Sequence, residues 1–385
     1  MVLPPLVIEC IETAEGLASL ADDWERLFLA TGSHLPFWTF DWAQTWWTHF
    51  QRRRMSVRDA PRIYTVREPG GALVAVAPMM LTERPAVGLL RARSLQFFGA
   101  DPNMTELKGV ICAAADAERV HRSLLKHFEA RESEWDWLEW ASLNQQCRHL
   151  FAGRTDVQWR REVSSYLLPL PDSWEEMRRD LKRNLRESLR KCYNSLKRDG
   201  HEFEFHVRQE PAQVSSTLVD LFRLHSARSL HTGTTAHADV FATDRSRCFL
   251  QEVCERLARR GHWRGFTLSI GGQVVATRLG FRFGETLYLY YSGFDPAWGK
   301  YSVMTTTVVE AIKHAIGSGI KTIDLSTGND VSKTRWSPTE VTYLDVTLCP
   351  PRVRSQLARR AYRYGFEIRN YPALRSWVSS GPSRL

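Results

Sequence analysis

The stretch that decides the fold is residues 265–293, GFTLSIGGQVVATRLGFRFGETLYLYYSG. Two β-prone runs flank Gly271-Gly272, and an aromatic run follows from Thr286. Glycines adopt the positive φ angles that a two-residue hairpin turn requires, so the stretch predicts a hairpin with a third strand beside it. Residues 214–230 and 302–316 have helical periodicity. Strands and helices in this order predict an α/β fold.

The same order of elements occurs in the first half of the chain. Pro69-Gly70-Gly71 joins the β-prone runs 62–67 and 72–81, and this turn lies 201 residues before Gly271-Gly272. Strand and helix patterns flank both hairpins in the same sequence order. We therefore predict two copies of one α/β unit, each a mixed central sheet flanked by helices, packed as a pseudo-dimer.

We expect the two units to span residues 1–165 and 166–348, and residues 349–385 to form a basic amphipathic helical tail. The apolar residues of the tail recur at helical spacing, which predicts an amphipathic helix, and we expect the tail to dock loosely on the body of the protein. These residues are Val353, Leu357, Ala361, Tyr364 and Ile368.

The net charge of +9 is concentrated in two segments. Residues 177–198 and residues 351–385 each have a net charge of +7, so the rest of the chain is not basic. Such segments attract polyanions, namely nucleic acid, anionic lipid or phosphorylated small molecules. The first segment predicts one helix with a single apolar stripe. That pattern fits a solvated packing helix as well as a phosphate-binding or membrane-facing helix. The stripe is Met177, Leu181, Leu185, Leu189, Cys192 and Leu196.

Composition excludes several classes of protein. A hydrophobic fraction of 43% with 25% charged residues excludes a disordered or fibrous chain. The longest apolar run, residues 72–81, is too short to cross a bilayer, and the start of the sequence lacks a secretory signal. The seven cysteines are an odd number without a C-x-x-C motif, which predicts reduced thiols, no zinc site and a cytoplasmic location.

Five motifs in the second half resemble a bacterial acetyltransferase family of the CelD/BcsL type, which is associated with cellulose and exopolysaccharide synthesis. The family is similar to tandem folds of the GCN5-related N-acetyltransferase (GNAT) superfamily and to the Fem-type peptidyltransferases. The resemblance implies two tandem GNAT-like units, acetyl-CoA as co-substrate and no metal. The motifs lie at residues 181–186, 224–228, 293–296, 323–328 and 333–336.

The chain departs from the family pattern where the pyrophosphate of the donor is expected. Ser302-Val303-Met304 stands in place of the family's Ser-Pro-Gly, and only Gly299 and Lys300 remain of the glycine-rich loop. Helix N-termini bind phosphates through free amides, so the start of the helix after Ser302 is still the expected site. The resemblance implies a donor site in the second unit alone, formed by Gly293, Gly299, Lys300, Tyr301, Ser302 and Val303.

The resemblance also implies catalytic residues. His225 is a candidate general base, and Asp324 and Lys333 are candidates for pairing with each other or acting on substrate. Tyr291 is a candidate acid for the leaving thiolate, since the tyrosines at 288, 290 and 291 are expected to alternate between faces of a strand. A structural role remains open for each residue. The candidates for substrate binding are Arg228, Arg335 and Trp336.

The chain contains 14 tryptophans, with clusters at 46–47 and 135–140. Tryptophan stacks on sugar faces, which suits a glycan substrate, and it also packs well in protein cores. The sequence favours core packing and leaves the glycan alternative open.

Three functions fit these observations. The leading hypothesis is an acetyl-CoA-dependent N-acyltransferase that modifies an amino sugar or polysaccharide precursor. A Fem-like transferase that uses aminoacyl-tRNA and a non-catalytic ligand-binding protein are the alternatives. For the tail, the preferred partner is the anionic inner-membrane surface, the second is a nucleotide second messenger, and the third reading is a purely structural helix. Nucleic acid is not an expected partner.

Overall fold

The computed structural model describes residues 4–86, 90–101, 103–230 and 238–370, with side chains described as far as Tyr364. Within these ranges, thirteen strands form one mixed sheet. The strands are β1 Val7–Ile11, β2 Arg58–Arg67, β3 Leu73–Pro85, β4 Arg91–Phe97, β5 Ile111–Cys112, β6 Trp137–Asn144, β7 Val157–Pro169, β8 Phe203–Arg208, β9 Trp263–Ile270, β10 Gln273–Phe283, β11 Thr286–Phe294, β12 Thr322–Thr327 and β13 Thr339–Leu348.

Helices cover both faces of the sheet. They are α1 Ala14–Ala18, α2 Ala21–Thr31, α3 Phe40–Phe50, α4 Ala117–Glu129, α5 Trp174–Asp180, α6 Arg183–Arg198, α7 Val214–Leu230, α8 Asp244–Arg259, α9 Val303–Gly317, α10 Val331–Thr334 and α11 Val353–Asn370. Within the described ranges, no helix has the length and apolar character needed to cross a membrane.

Both halves follow one order of elements, which confirms the predicted α/β fold of two tandem GNAT-like units. Each half has a first strand, helices, a meander of three antiparallel strands, a helix, a strand parallel to the end of the meander, and a last strand. The parallel pairs are β4 with β6 and β11 with β12. The hairpin turn at Gly271 and Gly272 has φ angles of 58° and 77°, as the sequence predicts.

The two units exchange their last strands. β7 pairs with β12 of the second unit, β13 pairs with β6 of the first, and β7 and β13 pair with each other from Val157 to Leu167. The predicted boundary at residue 165 falls inside β7, and the sheet continues across it. The division into 1–165, 166–348 and 349–385 stays a prediction.

One sequence expectation about this region is wrong in detail, and two strands were not predicted. No strand is predicted from the sequence at β7 or β13, and most of β7 between Val157 and Glu162 is exposed and polar. The predicted single helix at 177–198 is two helices, because Leu181 and Lys182 adopt extended backbone between α5 and α6. Its apolar stripe is confirmed. The buried stripe residues are Met177, Leu181, Leu185, Leu189, Cys192 and Leu196.

The largest core cluster joins the two units. Trp42 on α3 contacts Phe249 on α8 edge to face, with ring centroids 5.3 Å apart, and contacts Tyr290 on β11 at 5.9 Å. Its indole nitrogen donates to the Thr105 hydroxyl at 3.0 Å. Most of the tryptophans are buried in this way, which favours the core-packing reading over glycan stacking. The fully buried tryptophans are Trp24, Trp42, Trp46, Trp137, Trp140 and Trp263.

The tail helix α11 docks on the body of the protein through residues outside the apolar stripe. Ser355 and Ala358 are fully buried, and the Tyr362 ring stacks on Trp137 with centroids 5.1 Å apart. The Arg354 guanidinium pairs with the Asp136 carboxylate at 3.0 Å. The tail therefore docks through residues outside the apolar stripe. Val353, Leu357 and Tyr364 are 75%, 54% and 63% exposed, Ala361 is half-buried, and Ile368 lies outside the residues whose side chains are described.

Helix α7 packs directly on the backbone of β11 at Gly293. A Cβ atom at this position would lie 2.5 Å from the His225 backbone nitrogen and 2.7 Å from the Leu224 carbonyl carbon. Backbone atoms cannot move aside as a flexible side-chain end can. The structure thus explains this glycine by close packing.

We expect Gly293→Ala to lower the free energy of unfolding by about 1–3 kcal/mol, because the added methyl group overpacks the contact between α7 and β11. Gly299→Ala is the matched control, since its added Cβ would meet only Phe294, at 3.9 Å. Urea denaturation measures both. Equal stability of the two variants would contradict the packing argument.

Candidate active site

The parallel strands β11 and β12 pair over only three residues and then separate. Their last pair is Tyr288 with Asp324. A β-bulge follows in β11, where Tyr290 and Tyr291 together face Leu279 of β10. Bulges bend a strand and redirect its side chains. The result is an open wedge between β11 and β12.

The bulge also turns the β11 tyrosines toward one segment of the first unit, residues 103–106. The expectation that Tyr288, Tyr290 and Tyr291 alternate between faces is therefore wrong. The three hydroxyls donate to the Glu106 carboxylate (2.5 Å), the Met104 carbonyl (2.5 Å) and the Asn103 carbonyl (2.8 Å) respectively.

Glu106 bridges the two sides of the wedge, and sequence reasoning missed it. Its Oε2 accepts from the Tyr288 hydroxyl on β11 and from the Thr327 amide and hydroxyl at the end of β12, at 3.1 and 3.0 Å. Burial raises the pKa of Glu106, although the Tyr288 hydrogen bond and the positive charge of Lys333 oppose this shift. The only sequence signal near it is that residues 98–101, FGAD, resemble residues 292–295, SGFD, of the second half.

Asp324 is 1% exposed and has hydrogen-bond partners in both units. Its Oδ2 lies 2.9 Å from His34 Nε2, while its Oδ1 accepts from the Ser165 hydroxyl at 2.7 Å and the Ser326 amide at 2.8 Å. The predicted pairing of Asp324 with Lys333 is replaced by this His34 contact. His34 was not among the sequence candidates. It lies in the first unit, before α3, the helix whose aromatic residues pack in the core.

Lys333 stabilises the loop that follows β12. Its ammonium donates to the Ser326 hydroxyl at 3.0 Å and to the Thr327 carbonyl. Burial lowers the pKa of Lys333, and the Glu106 carboxylate opposes this shift. Ser326 has a φ of 68°, which a non-glycine residue adopts only when its surroundings hold it there. Asp324 and Lys333 are thus brought together around Ser326.

His225 and Tyr291 form a separate pair, with ring centroids 5.6 Å apart. His225 Nδ1 lies 3.1 Å from the Ser292 carbonyl oxygen. Its Nε2 is buried, lies 4.0 Å from Asp239 Oδ1, and has no hydrogen-bond partner among the described residues. No contact within those residues joins His225 to Asp324 or Lys333. The assignment of His225 and Tyr291 to catalysis stays a prediction.

The start of α9 differs from the start of its counterpart α4. Ser302, in the left-handed region, precedes α9 without a side-chain cap, and the first turn contains no acidic residue. The start of α4 has Asp116 and Glu118, whose charges oppose a bound anion. A cleft of about 500 Å³ lies beside the α9 terminus, and four of its nine lining residues are basic and two are acidic. Its lining is Glu187, Arg190, Lys191, Asn194, Ser195, Arg198, Asp199, Lys300 and Tyr301.

Arg335 approaches the same terminus from the loop after β12. Burial raises the pKa of the Cys192 thiol, and the Ser302 hydroxyl and the Arg335 guanidinium oppose this shift, which places all three groups close together. Arg335 Nε is buried without a hydrogen-bond partner among the described residues, and burial lowers the pKa of its guanidinium. Trp336 is 4% exposed and belongs to the core, so its placement favours packing over substrate contact.

The predicted donor-binding residues occupy different positions. Lys300 and Tyr301 line the cleft, and the Tyr301 hydroxyl donates to Asp199 at 2.9 Å. Ser302 is exposed, whereas the Val303 side chain is buried and offers only its backbone amide. Gly293 and Gly299 lie in β11 and in the turn after it.

Among the predicted substrate residues, Arg228 lies over the Phe294 ring, 5.8 Å from its centroid. Burial lowers the pKa of its guanidinium, and the charge of Asp330 opposes this shift. Within the described part of the chain, no group of three or more His, Cys, Asp or Glu side chains could hold a metal ion.

Comparison with known proteins gives one family match, which lies in the second half of the chain. Residues 183–334 match the family model described as Acetyltransferase (GNAT) domain. No curated protein matches the sequence of the chain. The matched residues include β11 and β12, which form the wedge, helix α9, and the loop that carries Lys333.

Solved structures resemble the chain over nearly its whole length. FemX shares 11% identity with a TM-score of 0.52, over 88% of this chain and 96% of its own. A conserved protein of unknown function from Bacteroides thetaiotaomicron VPI-5482 shares 11% identity with a TM-score of 0.51, over 89% of this chain and 100% of its own. These two matches show a common fold. Residues 183–334 thus match a GNAT acetyltransferase domain, and the chain is an acyltransferase.

Proposed function

We propose that the protein is an N-acyltransferase that uses acetyl-CoA, with the donor bound between β11 and β12. The observation that carries this proposal is the open wedge together with the start of α9, whose first turn has no acidic residue and whose adjoining cleft has four basic side chains against two acidic ones. The free amides of α9 and the charges of Lys300 and Arg335 suit the CoA phosphates, in place of the missing glycines. The β11 backbone beyond Tyr288 offers amide donors for the thioester arm and its developing oxyanion.

For the acceptor of the acyl group, we propose an amino sugar or a polysaccharide precursor in exopolysaccharide synthesis. Its support is the resemblance of the second-half motifs to the CelD/BcsL type. Tyr291 remains the proposed acid for the leaving thiolate, because burial raises its pKa and keeps the hydroxyl protonated at neutral pH. We also propose that the first unit binds no donor, since Asp116 and Glu118 occupy the equivalent helix start.

Acetyl-CoA binding tests this proposal. Isothermal titration calorimetry should show one acetyl-CoA per chain, and Arg335→Met should weaken binding about tenfold or more, since a hydrogen bond to a charged group contributes about 1.5–3 kcal/mol. Arg122→Met is the control, because Arg122 is an exposed arginine on α4.

Two results would contradict the proposal. Thermal stabilisation by aminoacyl-tRNA with none by acetyl-CoA would favour the Fem-like alternative. Stabilisation by neither would favour the non-catalytic alternative.

We further propose that α11 attaches the protein peripherally to the anionic inner-membrane surface. Val353, Leu357 and Tyr364 face away from the sheet, and Arg360 and Arg363 are exposed on the same helix. An apolar stripe flanked by arginines is the pattern of helices that lie in the membrane interface. Arginine stems also pack on apolar groups while their heads reach phosphates.

Substitution of the exposed stripe tests this attachment without disturbing the packed face of α11. Leu357→Gln combined with Arg360→Gln should weaken binding to phosphatidylglycerol vesicles and reduce its salt dependence, because one apolar and one charged contact are lost. Leu29→Gln is the control, since Leu29 is 63% exposed elsewhere. Vesicle co-sedimentation across a salt series that gives equal binding for all three proteins would make α11 a structural helix only.

A further inference from the structure

We propose that Glu106, a residue of the first unit, binds and deprotonates the acceptor amine in the wedge of the second unit. The inference rests on the proposed acyl transfer. It assigns a base that no family motif in the second half contains, and it makes the first unit a part of the active site.

The position of Glu106 is the first argument. Its side chain contacts β11 at Tyr288 and the end of β12 at Thr327, so its carboxylate spans the wedge at the point where the strands cease to pair. An acyl group held beside β11 beyond Tyr288 would lie next to this carboxylate. General bases act at hydrogen-bond distance from the proton that they remove.

The two carboxylate oxygens of Glu106 have different surroundings. Oε2 accepts three hydrogen bonds, from the Tyr288 hydroxyl and from the amide and hydroxyl of Thr327. Oε1 accepts none from the described residues. One oxygen therefore anchors the group and the other is free for a ligand, as a base requires.

The electrostatic surroundings raise the proton affinity of Glu106, as a base requires. Burial raises the pKa of Glu106, and the positive charge of Lys333 opposes this shift. Burial in turn lowers the pKa of Arg278 to about 10, and Arg278 Nε has no hydrogen-bond partner among the described residues. The titratable groups around Glu106 are Tyr288, Tyr290, Tyr291, Arg278 and Lys333.

The segment that carries Glu106 is fixed in place. Asp101 accepts from the Met104 amide at 2.6 Å, from the Thr105 hydroxyl at 2.6 Å and from Trp46 Nε1 at 2.8 Å. The three tyrosines of β11 hold the same segment from the other side. Such support keeps a reacting group in a productive geometry.

The proton balance of the step is simple. The acceptor ammonium gives one proton to Glu106 Oε1, and the neutral nitrogen forms a bond to the thioester carbonyl carbon. The C–S bond breaks, the proposed acid Tyr291 gives its hydroxyl proton to the leaving thiolate, and the second nitrogen proton restores the Tyr291 hydroxyl. The products are the amide, CoA thiol and a protonated Glu106 that releases its proton to water.

His34 is the competing base. Its Nε2 contacts Asp324, and its ring is partly exposed, as in a carboxylate–imidazole pair. We favour Glu106 because, besides Tyr288 in the last pair, it contacts Thr327 beyond that pair, whereas the hydrogen bond of His34 is to Asp324 in the last pair. The experiment includes His34→Gln for this reason.

The test uses Glu106→Gln, whose amide oxygen can still accept from Tyr288 and Thr327. Acetyl-CoA binding by calorimetry should be unchanged. Release of CoA thiol with acetyl-CoA and glucosamine as the amine probe should fall at least about 100-fold. The wild-type rate should rise with pH as Glu106 loses its proton, and a ¹³C NMR titration of glutamate carboxyls should assign this ionisation to the resonance that the variant lacks. Glu162→Gln, at an exposed position of β7, is the control.

Each outcome decides between the alternatives. A Glu106→Gln enzyme with the wild-type rate and pH profile overturns the proposal. A rise of the rate with pH that is abolished by His34→Gln and not by Glu106→Gln overturns it as well. Acetyl-CoA binding by the wild type without amine-dependent thiol release also counts against this acceptor site. Absence of acetyl-CoA binding in every variant would instead mean that the proposed function itself is wrong.

Discussion

The structure depends on the antiparallel pairing of β7 with β13, the last strands of the two units. Because each unit places its last strand in the other unit's half of the sheet, one hydrogen-bonded sheet runs from β1 to β8. Neither half can separate without losing backbone pairs along its inner edge, and exposed strand edges are costly. The α3 aromatic residues add a second connection by packing on α8 and β11.

This exchange explains why the candidate site contains residues from both units. The wedge between β11 and β12 opens toward the first unit, whose residues 103–106 accept hydrogen bonds from all three β11 tyrosines. His34 reaches Asp324 from the same side. The equivalent helix start in the first unit is acidic, so the duplicated fold has two similar frames and one basic helix start suited to a phosphate-bearing donor.

Much of the fold could be predicted from local pattern. The Gly271-Gly272 hairpin and the buried stripe of α6 follow from periodicity and turn chemistry. Strand β7 could not, since its partners lie across the exchange and its exposed residues are polar. Glu106 and His34 could not be predicted either, because only long-range packing brings them to the second unit. The docking face of α11 could not be predicted either, because an amphipathic pattern shows that one face is apolar without showing what covers it.

Hydrogen–deuterium exchange with and without acetyl-CoA tests the central claim most directly. The account predicts that acetyl-CoA protects the start of α9 and the β11 residues beyond Tyr288, and leaves the start of α4 unchanged. Phosphates at the α9 terminus and a thioester arm beside β11 would occupy the amides of these segments. Protection at the start of α4, or no protection at α9 and β11 under saturating acetyl-CoA, would contradict a donor site in the second unit.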